Sequence, residues 1–368
     1  MQIEKFTLNH LKSIINDNDY WNRSEVPMTR HRMLSYIHNP RAHYDDIVLF
    51  TAFEENKLVG YLNILPDNIK LKDNSYKIGW ISSWWVSEHF RSSGVGAFLF
   101  YGALKHYNQS LAGVRYNENA GNIIKASRRF TDLNDIKKTI FILKIQPGRL
   151  ERSILYNILI TLTKPVAVCI NSGLNILYNR KRKIYERLNT YDGIKIEYVN
   201  WIDDEIDKFI NTHQKNNLIK RSAAEFNWIL RYPWILSAPG KYNMRHNYQF
   251  ADISPRFFYI AVKLFKKDNL IGFLLLKFRD DYLDIPYIYY NPEYQNEIVY
   301  AIFQQAYLLS VQYISIYDDK LIKSIINKRN LYLYSRNTTY KSAITNKYTT
   351  YNLSKYSLQG GDGDLVFY

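Results

Sequence analysis

Trp80-Ile81-Ser82-Ser83-Trp84-Trp85-Val86-Ser87-Glu88-His89-Phe90-Arg91-Ser92-Ser93-Gly94-Val95-Gly96-Ala97 decides how the rest of the chain is read. An apolar run closes at Val86, Arg91 follows, and Gly94 and Gly96 come at fixed offsets. From Val95 the apolar residues recur at helical spacing, through Leu99, Tyr101 to Ala103 and Leu104. A strand, a short basic turn carrying glycines and then a helix make a device for holding phosphates. The glycines let the backbone come close to an anion, and the first helical N–H groups, at the positive end of the helix dipole, face it. The order Arg-x-x-Gly-x-Gly is not the dinucleotide fingerprint, and no Gly-Lys-Ser/Thr follows to make a P-loop.

Residues 86–96 resemble the pyrophosphate-binding motif of the GCN5-related N-acetyltransferases (GNAT), Arg/Gln-x-x-Gly-x-Gly/Ala after a strand. Arg91, Gly94 and Gly96 fill its three positions, with Val86 at the strand-end aliphatic. The resemblance implies acetyl-coenzyme A as co-substrate. Its pantetheine would lie along the third strand, Ile81 to Val86, against the main chain around Trp84, Trp85 and Val86. The amides of Arg91, Ser92, Ser93, Gly94, Val95, Gly96 and Ala97 would hold the diphosphate. The family's second motif, Asn-x-x-Ala after a strand, matches Asn117 to Ala120, so Asn117, or Asn119 or Asn122, would bond the pantetheine amides; helix capping is the competing use of an asparagine there.

Outward from this stretch, residues 1–145 read as one α/β unit. Helical patterns cover 7–16 and 28–38. Strand-like runs at 47–53 and 58–64 flank a polar turn, Glu54 to Lys57, and a third strand covers 77–86. A helix to Asn108, a strand at 111–116, a helix near 120–130 and a strand at 139–145 complete an order that resembles the acetyltransferase fold. Residues 195–350 run through a similar order, with a hairpin around Lys266 to Asn269. There the motif is missing: Asn291-Pro292-Glu293 follows the third strand, and Glu293 would oppose a diphosphate. The expected architecture is α/β (α+β): tandem GNAT-like domains, each a mixed, mostly antiparallel sheet flanked by helices. The divisions are 1–148 for the acyl-coenzyme A-binding catalytic domain, 149–190 for an apolar and basic helical linker, and 191–368 for a degenerate second copy. Between Ser153 and Asn179 the only charge is Lys164, with Arg180 to Lys183 beyond it. This segment reads either as a bent helix pair packed on protein or as an element resting on an anionic membrane surface through 153–183.

With 368 residues and 46% apolar content, the chain has enough for packed cores in more than one domain. Cys169 is the only cysteine, which excludes internal disulfides and cysteine-rich metal sites. No His spacing suits a metal, and none is expected. A net charge of +15 points to anionic partners. Met1 to His10 lacks a basic-then-apolar export pattern, so the expected location is cytoplasmic, with peripheral contact at the inner membrane face as an option.

Acyl transfer from a thioester to an amine needs the two placed together, a route for the ammonium proton, and a stabilised oxyanion. The family's expected tyrosine is absent from Ile123 to Ser127. Ser127, through a water, and Tyr116, from the strand, are the candidate proton donors to the thiolate. Ser82 and Ser83 are expected on opposite faces of the third strand, where one would order a water near the amine. The function expected is acetyl transfer to a primary amine of a small acceptor, an amino sugar or nucleotide-sugar of surface polysaccharide synthesis, with no nucleic acid partner. The alternatives are an aminoacyl-transferring ligase of tandem type and a non-catalytic membrane or nucleic-acid binding module.

Overall fold

The computed structural model describes residues 1–144, 173, 175–176, 178–185, 193–238 and 247–368. Most of the apolar linker, Cys169 included, lies outside them. The first half begins with β1 (Gln2–Thr7), α1 (Leu8–Ile14), α2 (Asn18–Trp21) and α3 (Arg30–Ile37). An antiparallel meander follows in β2 (Ile47–Glu54), β3 (Lys57–Leu71) and β4 (Asn74–Val86). Glu55 and Asn56 sit at φ 47° and 62°, the double left-handed turn that matches strand twist in a tight hairpin. Next come α4 (Val95–His106), β5 (Leu111–Val114), α5 (Glu118–Ala126), β6 (Phe130–Asp132) and β7 (Ile136–Ile142).

The second half repeats the plan. It consists of β8 (Ile194–Val199), α6 (Asp204–His213), α7 (Ala223–Arg231), short β9 (Leu236–Ser237) and β10 (Ile253–Ser254), and the meander β11 (Phe257–Lys266), β12 (Asn269–Arg279), β13 (Tyr282–Tyr290). Its hairpin turn, Lys267-Asp268, has φ 48° and 62°, the same geometry as the first. The elements α8 (Gln295–Leu308), β14 (Tyr313–Ile316), α9 (Asp319–Ile326), β15 (Tyr334–Tyr340) and β16 (Ser342–Thr345) complete it.

Each half contributes a seven-stranded sheet, ordered β1-β2-β3-β4-β5-β16-β6 and β15-β7-β14-β13-β12-β11-β8. Both are mostly antiparallel; β4 and β5 pair in parallel in the first, as do β13 and β14 in the second. The halves exchange a strand. β7 pairs with β14, while β16 enters the first sheet between β5 and β6. The compact units are therefore discontinuous: 1–136, 200–257 and 339–368 form one, and 137–199 with 258–338 form the other. The divisions at 148 and 191 have no counterpart to this exchange, because local patterning identifies a strand but not its partner. Among the strands, β1, β6, β9, β10, β15 and β16 were absent from the expected elements; β1 and β15 are edge strands with little burial, and the others are short.

In the first unit, Phe50, Leu62, Ile64, Val95, Leu99 and Phe100 pack one sheet face onto α4. The other face carries Thr51 opposite Tyr61 and Asn63 opposite Ser82. A buried ionic network ties that side together. Asp67 on β3 accepts from Arg41 at 2.6 Å, from Arg221 at 2.9 Å and from the Trp80 indole N–H at 3.0 Å. Arg41 also pairs with Glu225 of α7 at 2.7 Å. Burial alone would raise the Asp67 pKa, but the guanidiniums of Arg221 and Arg41 outweigh it and hold the carboxyl below its ordinary range.

Candidate active site

Gly94 caps α4 at φ +82°, a left-handed conformation, and no side chain caps the helix. A Cβ there would meet nothing within 4 Å, so the turn is open in front of the first helical amides. Ser93 closes the turn by donating its hydroxyl to the Phe90 carbonyl at 2.7 Å. Residues 91–94 are exposed, and the Arg91 guanidinium lies 3.6 Å from the Glu88 carboxylate. This is an anion cradle made of main chain, with one exposed positive charge beside it.

Beside the cradle the sheet opens. β4 and β5 pair only at Gly79–Leu111, Trp80–Ala112 and Ile81–Gly113. From Ser82 to Val86, β4 has no strand on that side among the described residues. A Cβ on Gly96 would lie 3.5 Å from Val86 Cγ2 and Ile123 Cδ1, and 3.6 Å from Trp84 Nε1. The missing side chain therefore leaves a gap bounded by β4, α4 and α5. Trp84 stacks on Phe100 at 5.5 Å, and Trp85 tilts against Tyr61 at 5.3 Å. An exposed β-edge leading to a glycine-lined amide cradle fits an extended, amide-bearing arm ending in a diphosphate. These residues suit coenzyme A.

Ser82 and Ser83 do not diverge as expected. The β3–β4 register shifts between Tyr61 and Asn63, and Ser83 adopts φ +40°. This bulge turns both hydroxyls to the same group, the guanidinium of Arg32. Arg32 is 1% exposed and donates to Ser83 Oγ at 2.6 Å, Ser82 Oγ at 2.8 Å, Tyr248 at 2.7 Å, Tyr368 at 2.5 Å and Tyr36 at 3.4 Å. Its plane covers Trp234 at 3.7 Å. Among the described residues no carboxylate forms an ion pair with it, and its Nε–H has no partner. Ser82 in turn donates to the carboxylate of Asp364, which burial pushes above the ordinary range.

The remaining expected residues fall apart from this cluster. Tyr116 is half-buried, with its ring packed against Gly113 and Gly121, and burial raises its hydroxyl pKa. Ser127 donates to the Ile124 carbonyl at 2.6 Å and finishes α5. Asn117 caps α5, accepting from the Ala120 N–H at 2.9 Å, and Asn122 is exposed on the same helix. Arg32, Trp234, Tyr248, Asp364 and Tyr368 were not singled out from sequence. The one available signal was Gly360 to Asp364 followed by Leu365-Val366-Phe367, a glycine-rich turn leading into apolar residues. That segment is buried, and Gly363 at φ +70° lies so close to Val114 that a Cβ would approach it to 2.7 Å. Among the described residues no cluster of three His, Cys, Asp or Glu could hold a metal, and no helix is long and apolar enough to cross a membrane.

Comparison with known proteins agrees with this geometry. The family model of the acetyltransferase (GNAT) family matches residues 9–123. No curated protein matches the sequence. Among solved structures, N-myristoyltransferase of Saccharomyces cerevisiae with bound myristoyl-CoA superposes with a TM-score of 0.52 at 9% identity, covering 94% of this chain and 79% of that one. A conserved protein of Enterococcus faecalis V583 described as a probable N-acyltransferase gives 0.51 at 8% identity, covering 93% and 72%. A tandem GNAT protein from the clavulanic acid biosynthesis pathway aligns at 11% identity over 93% and 97%, with a TM-score of 0.47. At such identities the first two likenesses speak for the fold alone. The cradle and the parted strands lie within residues 9–123, the part of the chain that matches the GNAT acetyltransferase family model, and that match supports acyl transfer as its chemistry.

Proposed function

We propose that the protein moves an acetyl group from acetyl-coenzyme A to the primary amine of a small acceptor, an amino sugar or nucleotide-sugar. The observation that carries this is the amide cradle at Gly94 to Ala97 opening onto the unpaired edge of β4. Bound there, the coenzyme would supply an activated thioester. The chain's own part would be to grip the diphosphate with main-chain N–H groups, to pair the Ser82–Val86 edge with the pantetheine amides, and to present the acyl carbon at the β4 bulge. Asn117 is committed to its helix, so the main chain of β4 carries most of that pairing.

The acceptor side is inferred from the opposite sheet face. Tyr61 is flanked by Trp85 at 5.3 Å, Tyr248 at 6.3 Å and Phe250 at 6.2 Å. Beside these rings, Thr51 Oγ1 and Asn63 Oδ1 are buried without partners among the described residues. Aromatic faces with unpaired polar atoms between them suit a sugar ring, which offers C–H faces and a rim of hydroxyls.

Calorimetric titration with coenzyme A tests the cradle, using Gly96→Phe as the blocked control. The wild type should bind saturably, and the variant, folded by circular dichroism, should lose at least about tenfold in affinity. Absence of binding by the wild type would overturn the reading. Mass spectrometry of products from a panel of amino sugars and alkylamines with acetyl-coenzyme A then identifies the acceptor.

A further inference from the structure

We infer that Ser82 and Asp364 form a proton relay that deprotonates the acceptor ammonium, with Arg32 as the positioning residue that fixes Ser82. The inference rests on the acyltransferase reading. Ser82 lies on β4 at the first position beyond the last β4–β5 pair, where the strands part. Its hydroxyl hydrogen is donated to Asp364, and one lone pair accepts from Arg32 at 2.8 Å. A hydroxyl oxygen has a second lone pair. An ammonium approaching Ser82 Oγ would give its proton to that pair as the Ser82 hydrogen passes to Asp364. The amine, now neutral, attacks the thioester carbonyl and the C–N bond forms; as the C–S bond breaks, the sulfur leaves with the electron pair and takes the second proton from the nitrogen, giving the amide and the free thiol. Asp364 holds the first proton until solvent takes it, so both protons lost by the ammonium are accounted for without another reactant.

The surroundings suit such a base. Asp364 is 7% exposed. The groups that act on it are Arg32 and Tyr36 from α3, Ser82 from β4 and Arg115 beyond β5, while the hydroxyls of Tyr248 and Tyr368 accept from the Arg32 guanidinium. Its neighbour Asp362 faces Arg221 instead, at 3.8 Å. Burial raises Asp364, while Ser82, Arg32 and Arg115 pull it down without cancelling the rise. A carboxylate above its ordinary range is a stronger base for an ammonium proton. Arg32 cannot give up its own proton, so it orders the serines without competing for the transfer.

The test uses the full chain and the variants Asp364→Asn, Ser82→Ala and Arg32→Lys. Coenzyme A titration comes first: binding by all of them shows that the fold and cradle persist, whereas failure of the wild type sinks the acyltransferase reading and not the relay specifically. Acetyl-coenzyme A turnover is then followed as released thiol over pH, with the product-forming amine and with a weakly basic analogue of it that is already neutral. Asp364→Asn should cost about 10²–10⁴-fold in kcat/KM with the basic amine and far less with the weakly basic one. Its profile should also lose the limb belonging to the carboxylate. Equal losses with both amines, or an unchanged limb, would overturn the relay. Infrared difference spectra decide it without turnover: a protonated-carboxyl band absent from Asp364→Asn should titrate above the ordinary aspartate range. A band confined to that ordinary range would also overturn the proposal.

Discussion

Gly94 and Gly363 share a left-handed backbone for different reasons, and substitution separates them. Gly94 at φ +82° has open space around a would-be Cβ, so Gly94→Ala should cost only the backbone strain, about 1 kcal/mol. Gly363 at φ +70° would press a Cβ against Val114, so Gly363→Ala should cost roughly 2–4 kcal/mol by adding overpacking to strain. Urea denaturation of both variants checks the order. Asp67 is the third position at this scale. Asp67→Ala would leave Arg41 and Arg221 buried without their shared carboxylate, a loss of about 3–5 kcal/mol in the same assay. Of these residues only Gly94 was legible in the sequence, since its motif is local. Arg32, Asp67 and Asp364 were not, because each draws its meaning from residues far along the chain: Arg32 from Tyr248 and Tyr368, Asp67 from Arg221, and Asp364 from Ser82. The same limit explains Ser82 and Ser83, where alternation along a regular strand predicts opposite faces and a bulge undoes it.

At the scale of elements, the meanders, the hairpin turns and the helix after the third strand were legible from periodicity and turn residues, in both halves. What lay beyond reach was the pairing of β16 with β5 and of β7 with β14, which no window of sequence contains. The segment that carries α6 and α7 likewise belongs with the first sheet: Trp228 donates to the Ser35 carbonyl at 2.7 Å, and Trp234 stacks on Tyr36 at 5.5 Å. A fragment of residues 1–190 therefore lacks an interior strand, the one between β5 and β6, and one covering layer. Made alone, it should precipitate or bind a dye for exposed apolar surface; made together with 191–368, it should be recovered as a complex. A soluble, cooperatively melting 1–190 fragment would contradict the exchange.

For the whole molecule, pH acts through carboxyls with opposite signs. Asp67 and Glu225 are buried, yet their arginines hold them below the ordinary range. Their stabilisation is present above the ordinary carboxylate pKa and is lost as pH falls through their depressed values. Asp364, raised by burial, keeps its proton longer in the folded state. Its effect runs the other way: stability declines as pH rises from the ordinary aspartate value to the raised one. Urea midpoints measured across pH should fall steeply in acid, and Asp364→Asn should flatten the decline on the weakly acidic side while leaving the acid limb in place.

The strand exchange also sets an order of events during synthesis. A ribosome that has released residues 1–144 has delivered the cradle, but the place between β5 and β6 stays empty until Ser342 to Thr345 emerge. Through that interval the edge of β5 is exposed backbone, able to pair with any strand nearby. The nascent chain is thus most prone to misassociate while its second half is being made, and a holdase that covers sheet edges would raise yield by acting then.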